Sequence, residues 1–215
     1  MRKVFEIGGY VSAAVLIAFG IGALVMSFNA RSTVTTELSR EFIVGSPDMN
    51  PTEITKAVKE AGLSNVPIPS CDVADKAIKS GADARCFAQY MRIHALESSG
   101  GLTYAEMGRF ASAANPTDPK ATNDDASAAK AASGAPVPNG ARNTWITETA
   151  LATALNVSYM ASQIALFGIV VGFALLLSGI GFAVLVVGGS LRSRPATAAD
   201  GQSPRKLSAP GVPVA

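Results

Sequence analysis

The side chains with the widest chemical range in this 215-residue chain are few: one histidine and two cysteines. His94 lies in YMRIHALE with Glu97 three residues on, so a helix would place the two on one side. Such a pair could pass a proton or hold a metal ion. Without further ligands or a nucleophile nearby, it reads as a helix histidine with a local hydrogen bond. Cys71 and Cys86 are separated by 14 residues. One distant histidine does not complete a zinc set with them, and a disulfide is the expected pairing. It would close a loop of about 16 residues, worth about 3 kcal/mol by loop entropy. Asp48, Asp72, Asp75 and Asp83 lack the spacing of a calcium loop. No G-x-S-x-G elbow, phosphate-binding G-x-x-x-x-G-K-[ST] loop or HExxH helix is present. No catalytic, cofactor-binding or metal-binding residue is assigned, no cofactor is expected, and the chain reads as a non-enzyme.

The elements around these residues explain the composition. Only 16% of the chain is charged, against 48% hydrophobic, and mean hydropathy is +0.29. From Ile7 to Phe28 there are 22 residues without a charge, enough to cross a hydrocarbon core of about 30 Å as a helix. A second uncharged stretch runs from Thr149 to Leu191, apolar from Ile164 onward. Both read as transmembrane helices. The first is too long for a signal-peptide core, and Phe28-Asn29-Ala30 offers no small-x-small cleavage site, so an uncleaved anchor is expected.

Arg2 and Lys3 precede the first span; Arg192, Arg194, Arg205 and Lys206 follow the second. The intervening loop holds 12 basic and 14 acidic residues, a net charge of −2. By the positive-inside rule both termini are cytoplasmic in a plasma membrane and loop 29–163 is extracytoplasmic. There an oxidising compartment would join the cysteines. A net charge of +2 without a basic run argues against nucleic-acid binding.

The expected fold class is mainly α: a two-helix transmembrane hairpin extended outside the bilayer, with a small helical extracytoplasmic domain and a disordered linker and tail. Residues 1–6 form the cytoplasmic N-terminus, 7–28 the first span and 29–41 its helical extension. Residues 42–112 form the small domain. Asn50-Pro51-Thr52-Glu53 opens one helix there and Gly62 closes it. A short helix is expected over 73–79, a longer one over 82–98 with Phe87, Met91, His94 and Ala95 on one side, and a last one opened by the Thr103–Glu106 capping box. The Ala/Pro/Asp-rich stretch 113–142 lacks the apolar surface to offset ordering and reads as a disordered linker. Residues 143–163 read as an extracytoplasmic helix with the stripe Ile146, Ala150, Ala154, Val157 and Ala161. The second span covers 164–190 and a disordered cytoplasmic tail 191–215.

Small residues let helices approach closely in lipid. Ala14, Ala18 and Gly22 mark such a face on the first span, and Gly168, Gly172 and Gly179 on the second. These faces could pack on each other, or on another copy or another membrane protein. No charged residue interrupts either span, which argues against an ion or proton path.

GSPDMNP, CFAQYMRIHALESSGGLTYAEMGRF, NTWITETALATALNVSYMA and LFGIVVGFALLLSGIGF resemble a group of uncharacterised actinobacterial membrane proteins with two spans around an extracytoplasmic loop. The resemblance covers residues 1–190 except the linker, implies that architecture, and assigns no site residue. Some of that group are described as aromatic ring-opening dioxygenases. A single histidine does not fit the two-histidine, one-carboxylate iron site such chemistry uses. Taken together, the expected function is an accessory or scaffold subunit of a cell-envelope membrane assembly. The other reading is an extracytoplasmic ligand-binding or sensing module. Its expected partners are the lipid bilayer and a membrane protein, or a second copy, met through the small-residue faces.

Overall fold

The computed structural model describes residues 2–188, so the tail 191–215 lies outside the described residues. The protein is mainly helical: α1 (Arg2–Arg40), α2 (Pro51–Glu60), α3 (Gly81–Ser98) and α4 (Gly140–Val187). Among the described residues the only β-pairing is a set of isolated bridges. The first span and its extension form the single helix α1. Helix α4 likewise joins the outer helix to the second span and starts at Gly140. Both are long and apolar enough to cross a membrane, with 18-residue stretches of mean hydropathy 2.3 and 2.7.

The chain divides into two compact units, Met1–Ala18 with Leu175–Ala215, and Phe19–Ala174. In the first unit α1 and α4 meet where Gly179 lies against Ala13 and Ile17. A Cβ at Gly179 would fall 2.7 Å from the Ile17 side chain and 3.1 Å from the Ala13 carbonyl oxygen. In the second unit Gly172 faces Gly20 and Leu24, and Gly168 faces the Ser27 hydroxyl. The small residues of α4 thus face α1.

On α1 the expected row is not the one used. Ala14, Ala18 and Gly22 are exposed, and a Cβ at Gly22 would meet nothing within 4 Å. The buried row is Gly9, Ala13, Gly20 and Ser27. The reason is helical phase. At about 100° per residue, Gly9, Gly20 and Ser27 fall within about 40° of Ala13, whereas Ala14, Ala18 and Gly22 lie about 100–180° around the helix from it.

The second unit carries a helical head. Its core gathers Met49, Ile54 and Val58 of α2 and its approach, Cys86, Tyr90 and Ile93 of α3, Val73 and Ile78 between them, Leu38 of α1, and Ala152 and Leu155 of α4. Asn50 caps α2, its Oδ1 accepting from Thr52 N at 3.1 Å and Glu53 N at 3.0 Å. Ser80 and Asp83 form a capping box at the start of α3. Cys71 and Cys86 are disulfide-bonded, Cα atoms 6.1 Å apart. Beside them the Tyr90 hydroxyl donates to the Cys71 carbonyl at 2.6 Å. Burial, then the charge of Asp72, raises the pKa of that phenol.

Three expectations are corrected. Residues 73–79 are not helical: Gly45 N donates to Lys76 O at 3.0 Å, Asp75 N to Gly45 O at 3.0 Å and Ile78 N to Ile43 O at 2.9 Å, so their backbone groups pair with the entry strand-like piece instead. Val73 lies so close to Gly45 that only a glycine fits there. Only half of the Thr103–Glu106 box forms: Thr103 N donates to Glu106 Oε2 at 2.7 Å, but the Thr103 hydroxyl donates to the same oxygen at 2.7 Å, Glu106 N goes to Thr103 O, and no helix follows. Gly108 N and Phe110 N are drawn to Lys120 O and Thr122 O, at 2.7 and 2.9 Å. The backbone bond from Thr103 holds the Glu106 carboxyl below the usual range.

The third correction concerns 113–142, which is not a disordered linker. Ala113 N donates to Ser127 O at 2.9 Å, Ala129 N to Ala111 O at 2.8 Å and Val137 N to Ala129 O at 2.8 Å. Asn139 closes the set. Its buried Nδ2 donates to Gly108 O and Pro119 O, both at 2.9 Å, while its Oδ1 accepts from Ala141 N at the start of α4. Asn115, Asp118 and Asp124 add side-chain turns of the same kind. Composition weighs apolar area and does not register such polar ties.

Candidate functional site

The polar groups of the head converge between α3 and the outer part of α4. The buried face of α4 here is Glu148, Ala152 and Leu155; of the expected stripe, Ile146, Ala150, Ala154 and Val157 are exposed. The reason is the carboxylate itself. Glu148 is 4% exposed and sits 3.1 Å from Arg92 Nη2 of α3, which gives the buried charge a partner. The Arg92 guanidinium also lies over the Trp145 ring, 4.5 Å from its centroid. A stripe drawn through apolar residues alone passes over Glu148. The 148–152–155 spacing with a matching arginine on α3 was the available signal.

Only one oxygen of Glu148 is engaged. Oε2 meets Arg92 and accepts weakly from Thr149 Oγ1 at 3.4 Å, while buried Oε1 has no hydrogen-bond partner. Burial pushes the Glu148 carboxyl above its ordinary pKa, with Arg92 and then Thr149 pulling it back. Glu148 borders two clefts. One, about 470 Å³, lies among Met91, His94 and Ser98 of α3 and Thr144, Thr147 and Leu151 of α4. The other, about 280 Å³, is walled by Pro67, Ile68, Ile93, Leu96 and Ala152.

His94 stands in the larger cleft. Its Nδ1 is 2.7 Å from Glu97 Oε2, the pairing the sequence suggests, and its Nε2 is 3.4 Å from Asp48 Oδ2, which the sequence reading does not connect to it. Asp48 comes from the turn before α2, and buried His94 Nε2 makes no hydrogen bond. Ser98, in the same cleft, donates its hydroxyl to the Ala95 carbonyl at 2.9 Å and is not directed at the ring. Cys71 and Cys86 are committed to each other. Among the described residues no group of three His, Cys, Asp or Glu side chains could hold a metal ion. The arrangement can offer Glu148 Oε1 to a hydrogen-bond donor.

The other residues singled out by sequence lie elsewhere. Gly168, Gly172 and Gly179 sit against α1, and Ala14, Ala18 and Gly22 face outward. Comparison of the chain with protein-family models, with curated proteins and with solved structures found no match.

Proposed function

We propose that this is a non-enzymatic integral protein of the plasma membrane, an accessory or scaffold subunit of a cell-envelope membrane assembly. In this reading α1 and α4 cross the bilayer, both termini are cytoplasmic and 29–163 lies outside. Large apolar side chains project outward from both helices: Phe19 is 68% exposed, Met26 73%, Phe167 69% and Leu177 66%. Water would not tolerate such a surface on a monomer, and lipid would. The basic residues flanking the spans, the net −2 of the loop and the disulfide within it all favour that orientation.

The observation that carries the subunit role is the row Ala14, Ala18 and Gly22. It lies outside the contact with α4, which leaves a close-approach face open for another membrane helix. Crosslinking in native membranes followed by affinity purification tests this. A distinct membrane protein should be recovered and should be lost with Gly22→Leu at unchanged protein level. Recovery of the chain alone would sink the reading.

The unpartnered Glu148 Oε1 beside two clefts favours a second reading, an extracytoplasmic ligand-binding module. Envelope lipids and glycans should then raise the melting temperature of the full chain but not of Glu148→Ala. An unchanged melting temperature for the wild type with every one of them would remove this reading.

A further inference from the structure

The second unit holds another cleft, of about 240 Å³, lined by Arg31 and Thr35 of α1, by Ser80 and Gly81 at the start of α3, and by Ser162 and Gln163 of α4. We infer that it receives the phosphate headgroup of an anionic phospholipid, an inference that rests on the membrane reading above.

Its level is set by the sequence. Arg31 lies three residues beyond Phe28, where the apolar run of α1 ends, and Gln163 immediately precedes Ile164, where the apolar run of α4 begins. On both helices the cleft therefore stands at the change from apolar to polar side chains, the depth at which lipid headgroups lie. Leu166 lines its apolar edge.

Its chemistry is that of an anion site. Arg31 is the one charged residue of the lining, and among the described residues it has no ion-pair or hydrogen-bond partner. Other arginines of the same unit are engaged: Arg40 with Glu37 at 2.8 Å, Arg92 with Glu148 at 3.1 Å, and Arg85 over the Tyr159 ring at 4.6 Å. The Gln163 carboxamide is likewise without a partner and adds donors beside the guanidinium. One carboxylate, Asp83, touches the lining: it accepts from Ser80 N and Oγ at 3.1 and 2.7 Å, which holds it at the first turn of α3. The floor is firm, because α3 approaches α4 so closely that a Cβ on Gly81 would fall 2.9 Å from the Ser158 carbonyl oxygen. The Ser80 and Ser162 hydroxyls donate to Asp83 and to the Ser158 carbonyl, so the guanidinium and the Gln163 carboxamide are the groups that match a phosphate, and the adjoining Leu166 matches the glycerol and acyl part of a lipid better than it matches free phosphate.

The full chain in nanodiscs of mixed phosphatidylglycerol and phosphatidylcholine, analysed by native mass spectrometry, tests the site. The wild type should retain phosphatidylglycerol preferentially. Arg31→Gln should lower that preference about fivefold, Arg31→Lys should keep part of it, and Arg40→Gln should leave it unchanged. Equal retention by wild type and Arg31→Gln would overturn the site. Release of the lipid by millimolar inorganic phosphate would assign the cleft to free phosphate and overturn the lipid. Insertion without headgroup preference removes this inference alone; failure to insert removes the membrane reading with it.

Discussion

Two stretches of the head, each held in one path, are held by different forces. Residues 42–100 fold around side chains: Ile54, Tyr90 and Ile93 are almost wholly buried, and the disulfide ties the approach to α3 onto that core. Residues 108–139 have hardly an aliphatic side chain to bury. Their path is set by backbone hydrogen bonds, side-chain turns and one buried amide, Asn139. The first stretch is stabilised by removing apolar area from water, the second by satisfying polar groups in one arrangement. Order does not require a hydrophobic core when enough of the backbone finds partners.

Removing a core side chain should have the largest effect. Ile54→Ala leaves a cavity where α2 meets α3 and should cost about 2–5 kcal/mol, seen as an earlier denaturant midpoint for the full chain in detergent. A loss under about 1 kcal/mol would mean that the core relaxes around the gap and the contrast is weaker than drawn. Asn139→Ala comes next. It strands two carbonyls and weakens the start of α4, at about 1–3 kcal/mol. Hydrogen exchange should speed up across 108–139 while α2 and α3 stay protected. Equal acceleration in α2 and α3 would show that the two stretches are one cooperative unit.

The smallest effect sharpens the comparison at the polar edge of the core. The pKa of Glu148 is raised in the folded state by burial, so the fold binds more protons than the unfolded chain. Wild-type stability should therefore fall as pH rises from the ordinary carboxylate value through the raised one. Glu148→Gln does not titrate there. Its melting temperature relative to wild type should climb over that interval, and a relative fall would mean that the pair with Arg92 outweighs burial.

What the sequence made legible follows the same division. The cap of α2 was readable because Asn50, Pro51 and Glu53 act through neighbouring backbone, and the two long helices were readable from uncharged length. The cysteine pair could be proposed from compartment and spacing. The packed face of α1 was not readable from small residues alone, because α1 carries small residues on more than one side and only the partner helix selects between them. Glu148 was passed over because its burial depends on Arg92, 56 residues away in sequence. Asp48 reaches His94 only through the turn before α2. The order of 108–139 rests on pairings between residues such as Ala111 and Val137, which no local pattern announces.

The membrane arrangement underlies both the subunit role and the lipid site, and cysteine labelling in intact cells addresses it most directly. Ala126→Cys, exposed in the 108–139 stretch, should react with a membrane-impermeant maleimide without permeabilisation. Val4→Cys, exposed near the start of α1, should react only after permeabilisation. Labelling of Val4→Cys but not Ala126→Cys in intact cells would reverse the orientation, and equal labelling of both would contradict a chain that crosses the membrane twice.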